Sequence, residues 1–179
     1  MLSTAAKNAW GLTVFLTALL TTNACAAAPN DKLAPVATMY RNFAWEALSN
    51  DTDLFGNGLA QQPVRMLSQY FDPVLAKMIA EDAACQHRTQ AFCKLDFDIL
   101  FASQDPRIVD LSIAAGRANT VDVKFKDPVT DKETLIIYTV ARGTNGWRIN
   151  DVAYQTDGQR SLRKVFSAPS RREMKEKSK

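Results

Sequence analysis

Apolar residues repeat with one period before Pro106 and with another after it, and this change limits the fold more than any other feature. Val36, Met39, Tyr40, Phe43 and Ala47 fall on one stripe of an amphipathic helix. Pro35 stands at its start, where a missing N–H costs nothing. Ser49-Asn50-Asp51 and Gly56-Asn57-Gly58 break the pattern. A second helix is predicted from Pro63, with Val64, Leu67 and Phe71 on a shared face. Asp72-Pro73 reads as a cap followed by a first turn. The third helix it opens turns Leu75, Met78, Ile79 and Ala83 inward and ends near Ala84.

After Pro106 the period becomes two. Val109, Leu111, Ile113 and Ala115 alternate with Asp110, Ser112 and Ala114; Val121, Val123 and Phe125 alternate with Asp122, Lys124 and Lys126. Both segments read as half-buried strands. Residues 134–141 are apolar on both faces, as in a central strand, and residues 146–154 form the last strand. Hairpin turns are expected at 127–132 and 143–146, the latter carrying Asn145-Gly146. A short helix is expected over 161–166. Helices followed by a meander define an α+β chain: three N-terminal helices packed on a curved antiparallel sheet of about four strands.

Residues 1–27 set the compartment. Lys7, the apolar run Trp10 to Leu20 and the small-residue exit Ala24-Cys25-Ala26 have the order of a secretory signal peptide. Residues 28–34 then form a linker, 35–167 one α+β domain and 168–179 a basic tail. The expected location is periplasmic or secreted. Lipidation of Cys25 is the alternative, but such processing usually wants Leu three residues earlier, where Thr22 stands. With Cys25 discarded, Cys85 and Cys93 are left to bridge in an oxidising compartment, closing a loop worth roughly 2–3 kcal/mol.

Hydrophobic content of 46% and charged content of 23% are those of a folded globular protein rather than a disordered one. No later segment has the length of a membrane span. Charge is uneven: residues 160–179 carry +6 and residues 27–159 carry −4. Such a tail could hold an anionic surface weakly, but a solvated, frayed end is the plainer reading. The basic residues are not interleaved with aromatics, which argues against nucleic acid.

Chemistry-bearing residues are sparse. Asp96 and Asp98, with Asp105 close behind, could do acid–base work, yet carboxylates so spaced on a loop more often face water or cap a turn. His87 is the only histidine, so no His-rich metal site can form, and no metal or cofactor is expected. Tyr40, Trp45, Tyr70, Tyr138 and Trp147 are candidates to line a pocket, with Arg148 or Arg142 as a polar handle. Aromatic residues at such spacings are more often core. No nucleophile elbow, phosphate loop or dinucleotide fingerprint occurs.

Two stretches carry a family likeness: residues 95–105 (LDFDILFASQD) and residues 147–162 (WRINDVAYQTDGQRSL). With the helical first half, they resemble small exported bacterial proteins similar to the nuclear-transport-factor-2-like (cystatin-like) superfamily. The resemblance implies a cone in which a bent sheet cradles helices, often around a pocket, over about residues 35–167. It carries no single activity and no catalytic residues. In enzymes of this shape a buried Asp and a Tyr can combine as base and oxyanion donor; Asp151 with Tyr40 or Tyr138 is the nearest imitation, and an enzyme would need Asp98 or Asp151 buried beside an aromatic hydroxyl.

Three readings follow. The first is a non-enzymatic envelope protein that binds another protein or a small ligand, as an accessory factor or an effector-neutralising immunity-type protein. The second is a periplasmic hydrolase or isomerase using a cone pocket. The third is a protein held on an anionic surface by its basic tail. A pocket with a buried carboxylate beside Tyr40 or Tyr138 favours an enzyme or small-ligand binder; a filled interior with an apolar patch elsewhere favours a protein partner.

Overall fold

The computed structural model describes residues 31–48, 52–155 and 160–169. The segment expected to be a signal peptide, Cys25 and most of the expected basic tail lie outside them.

Helix α1 spans Ala34–Phe43 and buries Pro35, Val36, Met39, Tyr40 and Phe43, the expected stripe. It tightens into a 3-10 turn over Ala44–Ala47, where Ala47 is half-buried. The segment expected to be a plain break holds one short helix, α2 (Thr52–Phe55), and a second 3-10 turn at Leu59–Gln61.

Helix α3 is a correction. It runs only from Val64 to Leu67, and Phe71 is not on it. Phe71 instead bridges Ile149 of the last long strand: the Ile149 N–H donates to Tyr70 O and the Asp72 N–H to Ile149 O. The chain leaves the helical path because these backbone groups find sheet partners.

Helix α4 (Pro73–Thr89) starts as expected. Asp72 accepts from the N–H groups of Val74 and Leu75, satisfying two of the donors orphaned at a helix start. It ends later than Ala84, carrying Cys85 and His87 on its last turns, and Gln90 closes it in a left-handed conformation (φ 51°). The Cys85–Cys93 bridge therefore ties a helix to the segment that leaves it, with Cα atoms 6.2 Å apart.

Strands β1 (Val109–Ala115), β2 (Thr120–Lys126), β3 (Glu133–Gly143) and β4 (Gly146–Tyr154) form an open antiparallel sheet in chain order, extended by the two-residue β5 (Arg160–Ser161). Gly143 pairs with Gly146, so Thr144 and Asn145 make the turn and Gly146 takes φ 90° at the start of β4. Val121, Val123 and Phe125 share a face with Ile136, Tyr138 and Val140 of β3 and with Ile149, Val152 and Tyr154 of β4, and all are buried. The outer face of β3 is only half-covered, at Leu135 and Ile137.

Strand β1 is the second correction. It is exposed along its length except at half-buried Ile113. Its register slips between Val109 and Ser112, and Asp110 takes a left-handed φ of 58°. A bulge of this kind twists an edge strand and limits its pairing.

Helix α5 (Leu162–Ser167) buries Leu162 and Phe166, with Ser161 accepting from the Lys164 N–H as cap. Asp72 joins it to the rest: its Oδ2 meets Arg163 Nη2 at 2.6 Å and Asn150 Nδ2 at 3.1 Å. Among the described residues, no helix is long and apolar enough to cross a membrane.

Candidate functional site

Three of the candidate residues converge in the interior, where they meet two that sequence reasoning missed, Glu46 and Tyr154. Tyr40 of α1 and Tyr138 of β3 share a hydroxyl–hydroxyl hydrogen bond of 2.9 Å, and Tyr40 also donates to Leu100 O. Tyr154 of β4 donates to Ile99 O at 3.1 Å. Tyr40 is 2% exposed and Tyr138 0%, so a ligand in solution touches neither. Burial pushes all three hydroxyls well above the ordinary tyrosine range.

Asp98 sits beside this cluster. Its Oδ1 accepts from the N–H groups of Leu100 (2.7 Å) and Phe101 (3.0 Å), folding the 98–102 turn that offers its carbonyls to the tyrosines. Glu46, from the 3-10 turn after α1, hydrogen-bonds to the Asp98 carboxyl. Burial, then the Asp98 charge, pushes Glu46 up to about 8, so it holds the shared proton at neutral pH. Burial also raises Asp98, against the hydrogen bonds from Glu46, Leu100 and Phe101. Glu46 had a signal in the sequence: it lies three residues after Phe43 and seven after Met39, on the buried stripe.

The remaining candidates are scattered. Trp45 stacks on Phe55 with ring centroids 5.2 Å apart. Asp105 is exposed and 3.6 Å from Arg107. Trp147 and Arg148 line a shallow groove of about 300 Å³ with Pro35 and Tyr70, where Arg148 Nε donates to Ser68 O. Arg142 is exposed. Asp151 accepts from the Arg163 N–H and so helps start α5. Among the described residues no cluster of His, Cys, Asp and Glu could hold a metal ion.

A larger concavity, of about 450 Å³, lies elsewhere, between α4, the Leu59–Gln61 turn and the segment after Thr89. Ile79, Ala83, Ala60 and Leu95 line it as apolar wall, with Gln61, Gln86, His87 and Gln90 as polar members. Phe92 belongs to the same lining and is 60% exposed. Its far side is fixed by Asp82, buried, which accepts from the N–H groups of Lys94 and Leu95 and from Gln86 Nε2. The bridge and Asp82 together hold the segment bearing Phe92 against α4. His87, the chain's single histidine, is exposed at this groove.

Comparison with known proteins brings nothing to set beside this geometry: no family model, curated protein or solved structure matches the chain.

Proposed function

We propose that this chain is an exported, non-enzymatic interaction protein of the cell envelope, and that it takes a protein partner at the groove between α4 and the disulfide-tied segment. The observation that carries this reading is the contrast between the two regions. The interior is filled by Tyr40, Tyr138 and Tyr154, whose hydroxyls are spent on each other and on backbone carbonyls. The groove is open, has an apolar wall and presents Phe92 to solvent. An exposed aromatic beside an apolar cleft is the kind of anchor that protein interfaces use. Side-chain amides from Gln61, Gln86 and Gln90 suit a neutral peptide segment rather than a charged one. Export is supported by the order of residues 1–27 and agrees with the Cys85–Cys93 bridge, which belongs to an oxidising compartment. The cystatin-like cone, and the likeness to small exported proteins of that fold, belong to the same proposal; the antiparallel meander with helices against one face supports them.

The test is capture of the partner from envelope extract with the oxidised chain as bait, run in parallel with Phe92→Glu. The expected result is one saturable partner whose recovery falls at least tenfold with Phe92→Glu and is unchanged by Val129→Glu, an exposed site on the β2–β3 turn. Equal recovery by all three baits refutes the groove as the docking site.

A second reading rests on the Glu46–Asp98 pair, which shares a proton as catalytic carboxyl dyads do. It makes the chain a hydrolase or isomerase acting at that pair. It requires a substrate to displace the Leu100 and Phe101 N–H groups from Asp98, and Asp98→Asn to abolish turnover of a hydrolysable substrate panel without unfolding the chain.

A further inference from the structure

The Glu46–Asp98 contact connects to the groove described above through one of its walls. Glu46 Oε1 accepts from the Leu59 N–H at 2.8 Å, and Leu59 opens the 3-10 turn whose Ala60 and Gln61 line the groove. Gly58 makes that approach possible: a Cβ built there would stand 2.7 Å from Glu46 Oε2 and 2.9 Å from Gln61 Oε1. One carboxyl thus holds three parts of the chain together: the extension of α1, the turn at 59–61 and, through Asp98, the 98–102 turn.

We propose that Glu46 and Asp98 form a proton-operated latch, closed while they share a proton, that fixes the Leu59–Gln61 wall of the groove and lets it go when the proton leaves. With the proton lost, two carboxylates meet in a half-buried site, and like charges in contact repel strongly there. Burial and the other carboxyl's charge favour the shared proton, whereas the backbone N–H donors on the pair favour the charged form and oppose the opening. From α1, β3 and β4 it is faced by the hydroxyls of Tyr40, Tyr138 and Tyr154, each of which feels the Asp98 charge. From the 59–61 turn comes only the Leu59 N–H, and from the 98–102 turn the N–H groups of Leu100 and Phe101. The largest influences on the two carboxyls are burial, each other and these backbone donors. Glu46 is pushed up to about 8, so the latch works near neutral pH, where the surroundings of an exported protein can vary.

The latch is a property of the free chain, whereas its control of partner binding rests on the proposed function. Hydrogen exchange of the free, oxidised chain tests it without a partner, so failure of the latch and failure of the docking site are seen separately. Protection of the Leu59, Gln61 and Gln62 amides, corrected for intrinsic exchange and referred to α4 amides, is measured at pH 6 and pH 9. The expected result is a loss of tenfold or more at Leu59 between these values. Glu46→Gln keeps the acceptor and cannot ionise, so its protection is the same at both. Asp98→Asn, the second variant, removes the repelling charge and also suppresses the response. Wild-type protection independent of pH, or an equal loss in either variant, overturns the latch.

Discussion

Removing one hydroxyl from the buried tyrosine pair has a cost that depends on which tyrosine loses it. Tyr40 has a single hydroxyl hydrogen and gives it to Leu100 O, so the 2.9 Å contact with Tyr138 is donated by Tyr138. Tyr138→Phe deletes a donor and leaves Tyr40 still bonded to Leu100, which costs about 1 kcal/mol. Tyr40→Phe strands two buried groups, the Leu100 carbonyl and the Tyr138 hydroxyl, and at roughly 1–2 kcal/mol each the cost is about 3 kcal/mol. In the double variant the stranded hydroxyl is gone and only the carbonyl is left, so the cost falls to about 2 kcal/mol. The double variant is therefore more stable than Tyr40→Phe alone. Urea unfolding followed by tryptophan fluorescence, at constant m-value, measures all three. Additive costs, or a larger loss from Tyr138→Phe than from Tyr40→Phe, would refute the donor order.

Stability should also fall as pH rises. Glu46 holds its proton more tightly folded (about 8) than unfolded (near 4.5), so unfolding releases it in that window and stability declines across it, levelling above pH 8. Solvent reaches part of the side chain, so the decline is about 1–3 kcal/mol rather than the full shift, and Glu46→Gln flattens it in denaturation at pH 5, 6.5 and 8; stability that rises over this range contradicts the assignment. Asp72→Ala should cost about 3 kcal/mol, because it removes the α4 cap and leaves the partly buried Arg163 unpaired, whereas Asp72→Asn keeps the cap and costs about 1–2 kcal/mol. Equal losses would mean that the Arg163 contact dominates. Replacing both Cys85 and Cys93 by Ser should lower stability by about 2 kcal/mol and raise exchange at Phe92 more than at Ile79; uniform exchange would show that Asp82 alone holds the segment.

Periodicity carried much of the fold. The α1 stripe, the Asp72-Pro73 start of α4 and the alternation of β2 and β4 are local patterns, and local patterns survive into the structure. What periodicity cannot express is competition from distant backbone. Phe71 has helical spacing from Val64 and Leu67, yet β4 recruits it. The alternation in β1 is as regular as in β2, but alternation does not say whether a helix covers the strand. Asp98, Tyr40 and Tyr138 could be named because each is chemically distinctive. Glu46 was hidden by its type: a glutamate in a helical segment reads as solvent-facing even when it lies on the buried stripe.

The sheet order has a consequence for how the chain reaches this state. Each strand pairs only with its neighbours in sequence, so the meander can close through short loops, each of small entropic cost. The contacts that seal the interior are of the opposite kind: Tyr40 must find Tyr138 across a separation of 98 residues, and Arg163 must find Asp72 across 91. A sheet that zips early and a helical half that docks late leave the apolar face of β2, β3 and β4 open in between. During that interval the half-finished molecule is at greatest risk of sticking to another copy of itself, and the bulged, twisted edge at β1 is the part of the sheet least able to accept one.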